Sequence, residues 1–184
     1  FKANSAILNA LLTLLNEREF DNGPTRERTP LVSVVGASNE VPGEEALLAF
    51  FDRFLVRVPV AGVGEASFGA LLTLAPAAAP AVEPVSSQEL RGWLAARESV
   101  VLGADSIEAL HALRRAAAAQ GIVVSDRRWR QLVGLLRSAA FLEGRTQVEP
   151  LDLWLVPYVI AAQPAQVPAL QDWFVREVAQ AEPQ

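Results

Sequence analysis

The chain has 184 residues, room for one domain or two small ones, and with 51% hydrophobic and 20% charged residues it has the composition of a soluble globular protein. No apolar run approaches the ~18 residues of a membrane span, and a net charge of −5 gives no support to nucleic acid as the main partner. There is no cysteine, which removes disulfides and thiolate metal sites and fits a reducing cytoplasm, and the single histidine, His111, leaves little room for a zinc site or a serine-type triad.

Phe1-Lys2, in a sequence without methionine, reads as the interior of a longer polypeptide. Asn4 or Ser5 can cap a helix whose apolar residues Ile7, Leu8, Leu11, Leu12, Leu14 and Leu15 follow the 3.6-residue period. From Asn16 to Pro30 the chain turns polar, and Asp21-Asn22-Gly23-Pro24 at the centre of that stretch predicts a projecting hairpin. Leu31 to Asn39, LVSVVGASN, is the organising stretch. Its near-continuous apolar and β-branched run is the pattern of a strand buried on both faces of a parallel sheet. Asn39 then stands at the C-terminal edge, where open α/β sheets hold their ligands. Glu44 to Phe51 reads as a short helix leading into Asp52-Arg53-Phe54, and Leu55 to Val60 as a second strand that Pro59 confines to an edge or a strand end.

Gly64 to Leu74 predicts one more helix. The Ala- and Pro-rich residues 75–85 then form a semi-rigid linker and the best domain boundary. Beyond it the pattern is helical throughout. Ser86 and Glu89 have capping-box spacing, Asp105 or Ser106 opens a second helix that stops near Gly121, and Ser125 opens a third. In that third helix Trp129, Leu132, Val133, Leu136 and Ala140 share one face, and the chain leaves it by Gly144. A fourth helix starts near Pro150 and is disturbed by Pro157, and a last amphipathic stretch runs from Val167 to Val178. The expected organisation is an α/β part over 1–74, the linker, an all-α part over 86–162 and a helical extension over 163–184.

The chemistry is sparse. No G-x-x-x-x-G-K-[ST] loop is present to cradle phosphates, and Gly62-Val63-Gly64 lacks the lysine. No pair of carboxylates stands at an apolar strand end where magnesium would need it. Three isolated polar signals remain: Asn39, Arg53 and the pair Arg127-Arg128. With Ser125 as N-cap, both arginines fall in the first helical turn, where the exposed amides and the macrodipole disfavour cations by about a few tenths of a kcal/mol. A bound anion would reverse that penalty, which makes the position a candidate phosphate site. Taken singly, each signal has an ordinary alternative. Asn39 could be a turn residue, Arg53 could pair with Asp52, and the arginines could be solvated with Asp126 compensating.

Four blocks in order carry a resemblance that none carries alone. KANSAILNALLTLLNEREFDN, VVGASNEVP, ALLAFFDRFLVRV and VSDRRWRQLVGLLRSAAFLEGR together resemble the second half of a MoxR-family AAA+ ATPase, nearest to the RavA-like regulatory branch. The resemblance covers Phe1 to about Pro157, apart from the linker. It implies an α/β fold, a partial AAA+ P-loop core lacking the Walker A and Walker B segments, followed by an all-α helical lid. Asn39 matches sensor 1, which positions the attacking water. Arg53 matches the arginine finger, which stabilises charge on a neighbour's transferring phosphoryl group. Arg127 matches sensor 2, with Arg128 as the less favoured holder of that role, and Glu19 to Thr29 match the hairpin inserted before sensor 1.

The family carries its phosphate loop and metal-binding acids upstream of the matched blocks. The resemblance therefore implies that ATP and Mg²⁺ belong to a full-length protein of which this chain is a segment, inactive alone. It also implies a homo-oligomeric ring, expected as a hexamer, a von Willebrand factor A domain partner and chaperone-like remodelling of a protein client in the cytoplasm. The alternative from a different class is a non-catalytic AAA+-derived interaction module. A nucleic-acid-directed ATPase is a third reading that the acidic charge does not encourage.

Overall fold

The structure, a computed structural model, describes residues 5–39, 41, 45–75 and 82–180. The alternative cap Asn4, the expected helix start Glu44 and linker residues 76–81 lie outside the described residues. The chain forms two compact units, Phe1–Val56 and Arg57–Gln184. That division precedes the Ala/Pro linker. The reason is local, since the Arg57 amide donates to the Tyr158 carbonyl (2.8 Å) and its Nη2 donates to the Val159 carbonyl (3.2 Å), which ties the residues ahead of the linker to the second unit.

In the first unit, helix α1 (Ser5–Glu17) leads into a hairpin of β1 (Glu19–Asn22) and β2 (Thr25–Arg28), antiparallel with Glu19 opposite Arg28 and Asn22 opposite Thr25. The hairpin is the one the turn residues predict, and Gly23 supplies the left-handed φ of 64° that its two-residue loop needs. Helix α1 ends at Arg18, which takes a φ of 58°. This is a left-handed conformation that glycine adopts freely and that costs another residue about 1 kcal/mol or more. Its amide donates to the Leu14 carbonyl (3.1 Å), and its own carbonyl accepts the Thr29 amide (2.7 Å), which seats the helix end beside the exit of the hairpin. Helix α2 (Glu45–Phe51) completes the unit, with Leu47 buried.

The buried strand expected at Leu31 to Ser38 is not formed. The segment has no regular secondary structure and joins no ladder, with Val32 72% and Val35 96% exposed. The same correction applies to Leu55 to Val60, where Val58 and Val60 are exposed. A strand exists only through a ladder of hydrogen bonds to a neighbour, and among the described residues neither segment belongs to one. The α/β half of the expected fold has no parallel sheet among the described residues.

The second unit is a helical body. Helix α3 (Glu65–Leu72) buries none of its residues. Helix α4 (Ser87–Arg97) opens on the predicted capping box. Ser86 Oγ accepts the Glu89 amide (3.1 Å) and Glu89 Oε2 accepts the Ser86 amide (2.8 Å), contacts that hold the Glu89 carboxyl below its usual range. Two departures from an all-helical reading follow. A short parallel pair joins β3 (Val101–Leu102) to β4 (Gln147–Val148), and helix α5 (Ala104–Ala119) starts ahead of the expected Asp105 or Ser106. Ser106 is no cap. Its buried hydroxyl donates to the Val148 carbonyl (2.8 Å) and fastens α5 to the strand pair.

Helix α6 (Asp126–Leu142) is capped by Ser125 as predicted and buries Leu132, Leu136 and Ala140 of its apolar face. Gly121 and Gly144, with φ of 71° and 74°, stop α5 and α6. After β4 come a 3₁₀ turn (Pro150–Leu155), α7 (Pro157–Ile160) with Pro157 in its first turn rather than its interior, a second 3₁₀ turn (Pro164–Gln166), α8 (Val167–Phe174) and a π turn (Val175–Ala179). Leu113, Leu132, Leu136, Leu153, Ile160 and Leu170 form the core, each fully buried. Burial of such a side chain is worth about 1.5–3 kcal/mol. The stretch read as a C-terminal extension belongs to that core, because Val167, Leu170, Trp173 and Val178 are buried too.

Arg145 braces the turn after α6. Its Nη1 and Nη2 donate to the two oxygens of the buried Asp152 carboxylate (2.7 and 2.6 Å), and Nη2 also donates to Glu143 (2.7 Å). Asp152 in turn accepts the Glu149 amide (2.9 Å) at the start of the 3₁₀ turn. Burial pushes the Asp152 carboxyl up, but the Arg145 fork and the Glu149 amide outweigh it and hold the group below its ordinary value.

Candidate functional site

Asn39 is exposed and sits at the bend that ends the segment after β2. Arg53 lies in the turn that closes α2, where its amide donates to the Phe50 carbonyl (3.0 Å) and the Phe54 amide donates to the Phe51 carbonyl (3.1 Å). Its side chain is half-buried, and its Nε, like those of Arg57, Arg97 and Arg137, is buried without a hydrogen-bond partner among the described residues.

Within the first unit the segment ahead of Asn39 passes the ring of Phe54. A Cβ placed on Gly36, three residues before Asn39, would lie 3.2 Å from Cε1 of Phe54, the residue after Arg53. Phe54 is itself held edge-on by Phe50, with ring centroids 5.4 Å apart at 76°. A glycine inside an apolar run is the sign of a close approach, and a Cβ at position 36 would need the Phe54 ring to give by a few tenths of an ångström.

Arg127 and Arg128 stand in the second unit, in the first turn of α6 as predicted. The Arg128 amide donates to Ser125 Oγ (3.3 Å), which satisfies one of the free amides of the helix start. The two side chains differ. Arg128 is 4% exposed, whereas Arg127 is open to solvent. An exposed guanidinium at a helix N-terminus adds positive charge beside amides that already favour an anion. His111 is exposed on α5, at the rim of a shallow groove with Arg114 and Trp129.

Comparison with known proteins finds two family matches along this chain. Residues 1–91 match the family described as the MoxR domain in the MoxR-vWA-beta-propeller ternary systems, and residues 105–174 match the AAA lid domain. The chain belongs to the MoxR family of AAA+ proteins. The helical second unit of this MoxR chain is the region that carries the AAA lid match, and the mostly helical architecture fits a partial AAA+ fold with a helical lid. Two curated relatives come from Methanocaldococcus jannaschii. The uncharacterized protein MJ0079 is 38% identical over 160 residues, 86% of this chain and 42% of that protein. The uncharacterized protein MJ0812 is 35% identical over 170 residues, 89% of this chain and 44% of that protein. The MoxR chain thus spans less than half the length of these relatives. Among the described residues no helix is long and apolar enough to cross a membrane.

Proposed function

We propose that this chain is the sensor, finger and lid portion of a MoxR-type AAA+ ATPase that remodels protein partners. The observation that carries the reading is the tandem order of the two family matches. Asn39 and Arg53 fall inside the MoxR-domain match, and Arg127 and Arg128 inside the lid match. On this reading Asn39 orients the attacking water, Arg53 stabilises charge on a neighbouring subunit's γ-phosphate, and Arg127 senses the nucleotide from the lid. The chain's own features fit a triphosphate. Arg53 carries a buried donor that lacks a partner among the described residues, and Arg127 projects into solvent from a helix start. When bound, ATP with Mg²⁺ supplies the phosphoryl group, and the residues of this chain position and neutralise it.

A trans-acting finger needs a second copy, so the working state is an oligomeric ring, proposed as a hexamer. The matched family takes its description from MoxR-vWA systems, which supports a von Willebrand factor A domain partner. Placement in the cytoplasm, the RavA-like branch and chaperone-like activity on a protein client belong to the same proposal. So do a phosphate loop and metal-binding acids in a longer polypeptide, since no such loop occurs in these 184 residues.

ATP turnover by the full-length protein separates this reading from the non-catalytic interaction module. Hydrolysis that depends on oligomerisation supports the first, and its absence with intact partner binding supports the second. Arg127→Ala is expected to weaken nucleotide affinity about tenfold, the loss of one charge-assisted contact, as measured by fluorescent-nucleotide titration. Arg128→Ala should instead lower stability, because that side chain is buried.

A further inference from the structure

The base of the hairpin holds a feature that the nucleotide machinery does not use. An open depression of about 460 Å³ lies there, lined by Glu17, Arg18, Arg28, Thr29 and Pro30. We propose that Arg18 and Arg28 form a binding site for an oxyanion, the phosphate group of a small phosphorylated molecule.

Three independent observations converge on this. The first is backbone. Arg18 occupies a left-handed position at a helix end, where glycine would sit without strain and an arginine carries a conformational cost. The hydrogen bond from the Thr29 amide to the Arg18 carbonyl fixes that position beside Arg28, the last residue of β2.

The second is charge. Two carboxylates lie close by, Glu17 in the lining and Glu19 directly across the ladder from Arg28, and each is 3.5 Å from Arg26 Nη1, which offsets part of their charge. Glu27 alternates to the opposite face of β2 from Arg26 and Arg28. Arg18 and Arg28 make no ion pair or side-chain hydrogen bond among the described residues, and both are exposed. The third is chemistry. Two arginines and a threonine line the same depression, and guanidinium donors suit a phosphate's oxygens. Glu17 also lines the depression, and its contact with Arg26 offsets its repulsion of an anion.

The strained residue supplies an unusual test, because a purely structural role and a binding role move in opposite directions. The intact protein is titrated by calorimetry at constant ionic strength with inorganic phosphate and, separately, with ribose 5-phosphate. The same titrations are run on Arg18→Gly and Arg28→Gln. Comparing variants isolates this site from any other phosphate site in the protein. Arg18→Gly is expected to weaken binding about tenfold or more, while its melting temperature stays level or rises by a few degrees. Arg28→Gln should show the same loss at unchanged stability. Tighter binding of the sugar phosphate than of phosphate identifies an organic ligand, and equal binding identifies the phosphate group alone. Binding unchanged in both variants overturns the site, and so does a fall in melting temperature for Arg18→Gly. Neither result touches the ATPase reading, which is scored by turnover.

Discussion

Replacement of Arg53 by alanine in the full-length protein is expected to lower ATP turnover by about three orders of magnitude, with nucleotide binding near the wild-type level. Such a loss corresponds to about 4 kcal/mol of transition-state stabilisation. It is this large because a finger acts on charge that develops only as the phosphoryl group transfers, so the ground-state complex has little of it to lose. The turn of Arg53 is fixed by backbone hydrogen bonds to Phe50 and Phe51 and by the Phe50–Phe54 ring contact. Mixing the variant with a subunit whose own nucleotide site is disabled should restore activity at the interfaces that pair an intact finger with an intact site. Weakened nucleotide binding with an unchanged turnover number would remove Arg53 from the finger role.

Replacement of Arg145 by alanine is expected to destabilise the lid by about 3 kcal/mol at neutral pH, because it strands a buried carboxylate. In the wild type, the Asp152 carboxyl is held below its unfolded value by Arg145 and the Glu149 amide against the pull of burial. A group depressed in the folded state contributes stability above its unfolded pKa of about 4, and loses that contribution as the pH falls through the folded value. Without Arg145, burial becomes the dominant influence and raises the Asp152 carboxyl, so the sign inverts. The variant should then lose stability as the pH rises above about 4, and the gap from wild type should narrow on acidification. Urea unfolding at several pH values between 7 and 4 measures both slopes. A gap that stays constant with pH would show that Arg145 acts through its aliphatic packing rather than its charge.

The second unit was the more legible of the two in the sequence. Its capping box, its Ser125 cap and the glycines that stop α5 and α6 are local devices, which operate whatever the rest of the chain does. The hairpin was legible for the same reason, since Gly23 dictates its own turn. Leu31 to Asn39 failed as a buried strand because burial on two faces is supplied by neighbours, and a run of valines states a preference without containing the partners that satisfy it. Features held by distant contacts went unread altogether. Neither the parallel pair of Val101–Leu102 with Gln147–Val148 nor the hydroxyl bond from Ser106 to Val148 has a periodic signature. At the candidate site, residue types and spacing singled out Asn39, Arg53 and the arginine pair. The contrast in burial between Arg127 and Arg128, and the approach of Gly36 to Phe54, depend on tertiary surroundings and could be seen only in three dimensions.

The mooring of Arg57 to Tyr158 and Val159 has a kinetic corollary. The bond from Arg57 Nη2 to Val159 joins positions 102 residues apart, so it closes a loop that contains α3 to α6. Contacts of that range are costly in chain entropy, and the segment at residue 57 is therefore expected to lock onto α7 only after the helices between them have assembled.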